Sequence, residues 1–137
     1  MPRGGNKIKP TAVLWLWVAL GGAIGALSRY LVAGYVQKLV GIAFPVGTLT
    51  VNVLGSFIIG FFIQYVLEYL AMPPQVRALA VVGFLGAFTT FSSFSYETVS
   101  LLIEGEWLKA LIYVLGTNVL CFIATFLGIV LARALTV

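Results

Sequence analysis

Gly83-Phe84-Leu85-Gly86-Ala87-Phe88-Thr89-Thr90-Phe91-Ser92-Ser93-Phe94-Ser95-Tyr96-Glu97 sets glycines, hydroxyls, aromatics and one carboxylate in the middle of an apolar segment. A helix that only faced lipid would be built from Leu, Ile and Val, so this composition suggests a site. Phe88, Phe91 and Phe94 recur every third residue, and that spacing sets Phe91 and Phe94 on one face of a helical turn. Gly86 tolerates unusual dihedrals, and the β-branched pair Thr89-Thr90 is a mediocre helix former. Irregular backbone at membrane depth survives only where protein buries it or it lines a watery cavity. The stretch therefore predicts a helix interrupted near Gly86 to Phe91, with freed carbonyls able to hold a cation and freed amides able to meet an anion. The competing reading is a plain helix whose small residues let neighbours approach and whose phenylalanines are filler.

The rest of the chain sets the solvent around this stretch. Of 137 residues, 61% are hydrophobic and 9% charged, and the mean hydropathy is +1.11, far outside the range of soluble domains. Four apolar runs, at about 12–35, 46–70, 77–103 and 107–135, each approach the roughly 20 residues that cross a bilayer core. Lys38 to Pro45, Met72-Pro73-Pro74-Gln75 and Glu104-Gly105-Glu106 separate them with turn residues and charge. The expected fold is an all-α membrane protein of four transmembrane helices, the third broken, with both termini on one side. A basic, Gly- and Pro-containing tail over residues 1–11, read as cytosol-like and not as a signal peptide, precedes a single domain over residues 12–137.

Composition also removes function classes. Histidine is absent and Cys121 is the only cysteine, which excludes an intrachain disulfide, a His-ligated metal and Ser-His or Cys-His catalysis, and argues against an enzyme. The net charge of +4 and pI near 9.5 come from scattered residues that flank the spans, so they point to membrane orientation and not to nucleic acid. Arg3, Lys7, Lys9, Arg77 and Arg133 fall on one side against Lys38 and Lys109 on the other, with Arg29 a third if it reaches that interface. That bias favours the termini inside.

Polar residues inside the spans carry the remaining signal. In the first span Gly21 and Gly25 form a GxxxG suited to close helix packing. Arg29 follows, and a charge near the bilayer centre costs about 2.5–3.5 kcal/mol, so it should either snorkel to the interface or pair with Glu97. The second span spaces Thr48, Asn52, Ser56, Gly60, Gln64 and Glu68 by four, and each step rotates roughly 40° around the helix. Thr48, Asn52 and Ser56 therefore share a stripe, and the Asn52 amide needs partners or water, or else glues two helices. The fourth span repeats the device with Tyr113, Thr117, Cys121 and Thr125, beside Asn118. Two such stripes could flank a narrow wet path; alternatively each hydroxyl bonds its own helix one turn back.

Gly22-Ala23-Ile24-Gly25-Ala26-Leu27-Ser28-Arg29-Tyr30, Gly47-Thr48-Leu49-Thr50-Val51-Asn52-Val53-Leu54-Gly55 and Gly86-Ala87-Phe88-Thr89-Thr90-Phe91-Ser92-Ser93-Phe94 with Glu97 closely resemble the Fluc (CrcB) family of fluoride channels, over nearly the whole chain and in order. The resemblance implies a multi-pass protein of the cell membrane, pairing head to foot with an identical copy in either orientation, with two pores that passively export fluoride. Phe91 and Phe94 match the family's pore aromatics, Asn52 its pore asparagine, and Thr90 and Ser93 the neighbouring hydroxyl positions. Tyr113 and Thr117 look like members of a fourth-helix polar track, with Thr48 on the facing stripe. Gly86 and Thr89 match positions whose backbone carbonyls, two from each subunit, hold a structural sodium ion. Arg29 and Glu97 are assigned to structure, Glu97 as a cap for polar groups around the break.

The physical requirements agree. Fluoride is small and strongly hydrated, so a selective path must replace its water with closely placed N–H and O–H donors. Phenylalanine edges carry partial positive charge and can face an anion. No Lys or Arg lies in the polar stripes, and a buried sodium would supply the positive field instead. Two other classes fit the composition: a small proton-coupled multidrug exporter, for which Glu97 would be the exchanging carboxylate, and a structural membrane subunit whose stripes are packing glue.

Overall fold

A Gly-Ile-Ala-Phe-Pro run after Val40 ends the first of four long helical spans in the described chain. The computed structural model describes residues 10–137, with side chains from residue 13. Most of the basic tail expected over residues 1–11 lies outside the described residues, and residues 10 and 11 already belong to the first helix. The helices are α1 (Pro10–Val40), α2 (Val46–Tyr69), α3 (residues 74–88), α4 (Phe91–Ile103) and α5 (Trp107–Ala134). The spans Val13–Val40, Val46–Tyr69, Pro74–Ile103 and Trp107–Ala134 are each long and apolar enough to cross a bilayer, and no strand occurs among the described residues. The third is α3 and α4 in series, so the expected interruption is present.

Two boundaries differ from the sequence reading. α1 runs past the expected end near residue 35 to Val40, because Gln37 stitches the following loop to the next helix. Its Nε2 donates to the carbonyls of Ile42 (2.9 Å) and Phe44 (3.0 Å), and its Oε1 accepts from the amide of Gly47 (3.1 Å). Gly41, at φ +66°, then turns the chain out of the helix, a conformation glycine adopts without strain. α3 begins at Pro74, where the missing N–H costs nothing. The last turns of α2 (Ile63–Tyr69) and the body of α3 (Arg77–Leu85) are wound as π-helix, which no spacing in the sequence announces.

Packing follows the small residues. α1 lies along α3, and α2 along α5. A Cβ at Gly25 would overlap the Phe84 carbonyl, and one at Gly60 would overlap the Thr125 carbonyl, so each backbone passes directly over its neighbour. The GxxxG of α1 thus packs against α3, as its sequence suggests. A small buried cluster of Phe94, Leu101, Ala110 and Tyr113 joins α4 to α5. Large apolar side chains such as Trp107, Leu108, Phe122 and Phe126 point outward. In lipid that arrangement carries no penalty, because close packing and interhelical hydrogen bonds, not burial from water, drive association.

Candidate functional site

The break is built by two residues and held by two neighbouring helices. Thr89 (φ −86°, ψ 154°) and Thr90 (φ −148°, ψ 110°) are extended between α3 and α4. Thr90 caps α4, its Oγ1 accepting from the Ser93 amide (3.1 Å). Asn52 on α2 then clasps Thr90 as a second strand would: the Thr90 amide donates to Asn52 Oδ1 (2.7 Å), and Asn52 Nδ2 donates to the Thr90 carbonyl (3.1 Å). On the α1 side, Arg29 Nε donates to the Ala87 carbonyl (2.9 Å). The half-buried charge that looked anomalous in the sequence therefore serves the break. Its side-chain bond goes to the break and not to Glu97.

These bonds decide which carbonyls are left over. In an unbroken helix the Thr90 amide would serve the Gly86 carbonyl and the Ser93 amide the Thr89 carbonyl. Here the first goes to Asn52 and the second to the Thr90 hydroxyl, so both carbonyls lose their helical partners. Oxygen dipoles without partners at membrane depth suit a hard monovalent cation. The residues present thus fit the sodium site that the resemblance implies.

A recess of about 380 Å³ opens beside the break. Asn52, Thr90, Phe91, Phe94 and Thr117 line it together with Gly86 and Thr89, and no charged side chain does. Phe91 is 78% exposed and Phe94 only 7%, their ring centroids 5.5 Å apart at 55°. Phe88 departs from the threefold series: it lies before the break, buried, and stacks on Phe84. Thr117 is buried, and its Oγ1 has no hydrogen-bond partner. Nearby hydroxyls and amides do satisfy themselves, Thr50 on the Val46 carbonyl, Thr98 on Phe94, Asn118 on Val114 and Thr125 on Ser56. Thr50, Thr98 and Asn118 thus bond their own helix one turn back and Thr125 bonds α2, whereas Thr117 does neither. Gly55, Ser56 and Cys121 also line the recess. Gly55 was legible only as a small residue three positions after Asn52, on the same helix face.

Thr48, Tyr113 and Ser93 sit outside that lining. Ser93 Oγ is 3.0 Å from Thr90 Oγ1 and reinforces the cap. Thr48 Oγ1 and Tyr113 OH both donate to the Glu97 carboxylate, to Oε1 at 2.6 Å and Oε2 at 2.7 Å. Glu97 therefore does not cap the break; it anchors α2 and α5 to α4 two turns further on. Glu97 also faces a second recess of about 530 Å³, lined by Gln37 and Glu104 as well. Tyr113 connects the two regions, since its ring meets Phe94 edge-on at 5.0 Å. Carboxylate, phenol, Phe94 and Phe91 form one continuous line of contacts.

A family model described as "CrcB-like protein, Camphor Resistance (CrcB)" matches residues 16–129, most of the chain. The chain belongs to the CrcB family. Among relatives of this CrcB protein, one from Aquifex aeolicus (strain VF5), named "Fluoride-specific ion channel FluC", is 57% identical over 118 residues, covering 86% of this chain and 95% of the relative. Proteins of the same name from Magnetococcus marinus and Geobacter metallireducens are 50% and 49% identical, covering 85% and 86% of this chain and 95% of each relative. The CrcB match reaches into all four spans and covers the break, and the chain is a multi-pass protein of the cell membrane.

Proposed function

We propose that this CrcB-family chain is a fluoride-selective channel that lets fluoride leave the cytoplasm down its electrochemical gradient. One observation carries the residue assignment: the unpartnered Thr117 hydroxyl, the Asn52 amide and the Phe91–Phe94 pair share one uncharged recess beside a broken helix. Asn52 has one amide N–H beyond its bond to Thr90, and Thr117 has its whole hydroxyl, so each can replace a water on the anion. The positive edges of Phe91 and Phe94 supply weak attraction without the tight trap a Lys or Arg would set.

An identical antiparallel copy packed over the largely exposed Phe91 and the exposed Gly86 would complete the path and give two pores per dimer. The Gly86 and Thr89 carbonyls of both copies would hold sodium at that contact, and the ion supplies positive field without proton chemistry. Glu97, held by Thr48 and Tyr113, positions the helices around the path.

Efflux from liposomes carrying the purified protein, read by fluoride and chloride electrodes under a potassium diffusion potential, tests the reading. Fast fluoride loss with negligible chloride loss is the expected result. Protein shown to be dimeric that releases no fluoride would leave only the fold. For the sodium site, unfolding of the detergent-solubilised dimer should begin at lower temperature when sodium is replaced by a large organic cation; equal stability in both salts would reject it.

A further inference from the structure

The α5 stripe places two groups in the recess that do not bond backbone. Thr125 and Asn118, on adjoining turns, give their side chains to the carbonyls of Ser56 and Val114. Thr117 Oγ1 is buried, unpartnered and part of the recess lining. One turn on, Cys121 is a free, half-buried thiol that lines the same recess as Asn52 and Phe91. A buried hydroxyl without a partner is costly unless water or a ligand reaches it, so the recess is wet at Thr117. Water at Thr117 is within one helical turn of the Cys121 side chain, about 5.4 Å along the axis.

We propose that Cys121 is a modification site inside the path: its thiol takes small, uncharged disulfide-forming reagents from the wet recess, and the adduct closes conduction. The inference rests on the channel reading above. A thiolate is the reacting species, so the site needs water to accept its proton, which the Thr117 side of the recess provides. With methyl methanethiosulfonate, Sγ attacks the reagent's thiol sulfur. A new S–S bond forms, the reagent's S–S bond breaks with loss of methanesulfinate, and the thiol proton passes to water. The adduct places a methylthio group beside Thr117, where it displaces water and offers a passing anion no N–H or O–H donor.

The experiment treats the full-length protein in liposomes with methyl methanethiosulfonate and reads two quantities: adducts per chain by intact mass, and fluoride efflux before and after. One adduct should form, efflux should fall by about tenfold or more, and dithiothreitol should restore it. Cys121→Ser, with its own untreated efflux as reference, should gain no adduct and show no further slowing. An adduct at Cys121 with unaltered efflux would place the thiol off the path, and folded protein that forms no adduct would show that reagent does not reach it; either result overturns the proposal. Absence of fluoride efflux from the untreated protein would instead overturn the channel reading, while the mass measurement would still report whether the thiol is reached.

Discussion

Asn52→Asp is nearly isosteric and separates the two tasks of this residue. An aspartate still accepts from the Thr90 amide, which Asn52 Oδ1 holds at 2.7 Å. It cannot donate to the Thr90 carbonyl, 3.1 Å from Nδ2, and sets an oxygen against that carbonyl instead. Leaving a buried carbonyl unpaired costs about 1–3 kcal/mol. The new charge also faces the recess. A fluoride passing within about 6 Å of it meets roughly 3 kcal/mol of repulsion at an effective dielectric near 20, which is about 100-fold in rate. Liposome efflux should therefore fall by about two orders of magnitude, and denaturant unfolding of the solubilised protein should shift by about 1–3 kcal/mol while the chain still folds. Wild-type efflux with unchanged unfolding would refute both the clasp and the pore assignment of Asn52.

Thr117→Val removes a hydroxyl that bonds nothing in the folded chain, so stability should hold or rise by about 1 kcal/mol while fluoride efflux drops; a destabilised variant with normal efflux would reverse the assignment. Tyr113→Phe deletes one of the two donors to Glu97 and should lower stability by about 1.5–3 kcal/mol, measured by denaturant titration, because that bond is charge-assisted. Gly25→Val drives side-chain atoms into the Phe84 backbone, and the variant should lose its monodisperse elution from size-exclusion chromatography, with a penalty of about 1–3 kcal/mol or more.

What could be read along the chain was what depends on local pattern. Hydropathy set the four spans, because the bilayer demands about 20 apolar residues whatever their neighbours. The Thr89-Thr90 pair marked the break, because its backbone preference is intrinsic, whereas Gly86, expected to leave the helix too, stays helical at φ −61°, ψ −33°. The GxxxG of α1 announced close packing for the same reason, and only its partner, α3, had to be found in the fold. The family resemblance selected the site residues, and five of them meet in one recess that the two positions matched to a sodium site also line.

Tertiary structure decided the partners of the polar groups, which no spacing encodes. Arg29 bonds the Ala87 carbonyl and not Glu97, because that acceptor is free only once the break has formed. Glu97 moved from the break to Thr48 and Tyr113, residues 49 and 16 positions away in sequence. Asn52 is a clasp as well as a lining residue because α2 happens to pass Thr90 at hydrogen-bond distance. Sequence determined that these groups must be satisfied inside a membrane; the packing of α1, α2 and α5 around a broken helix determined by what, and left Thr117 free for something else.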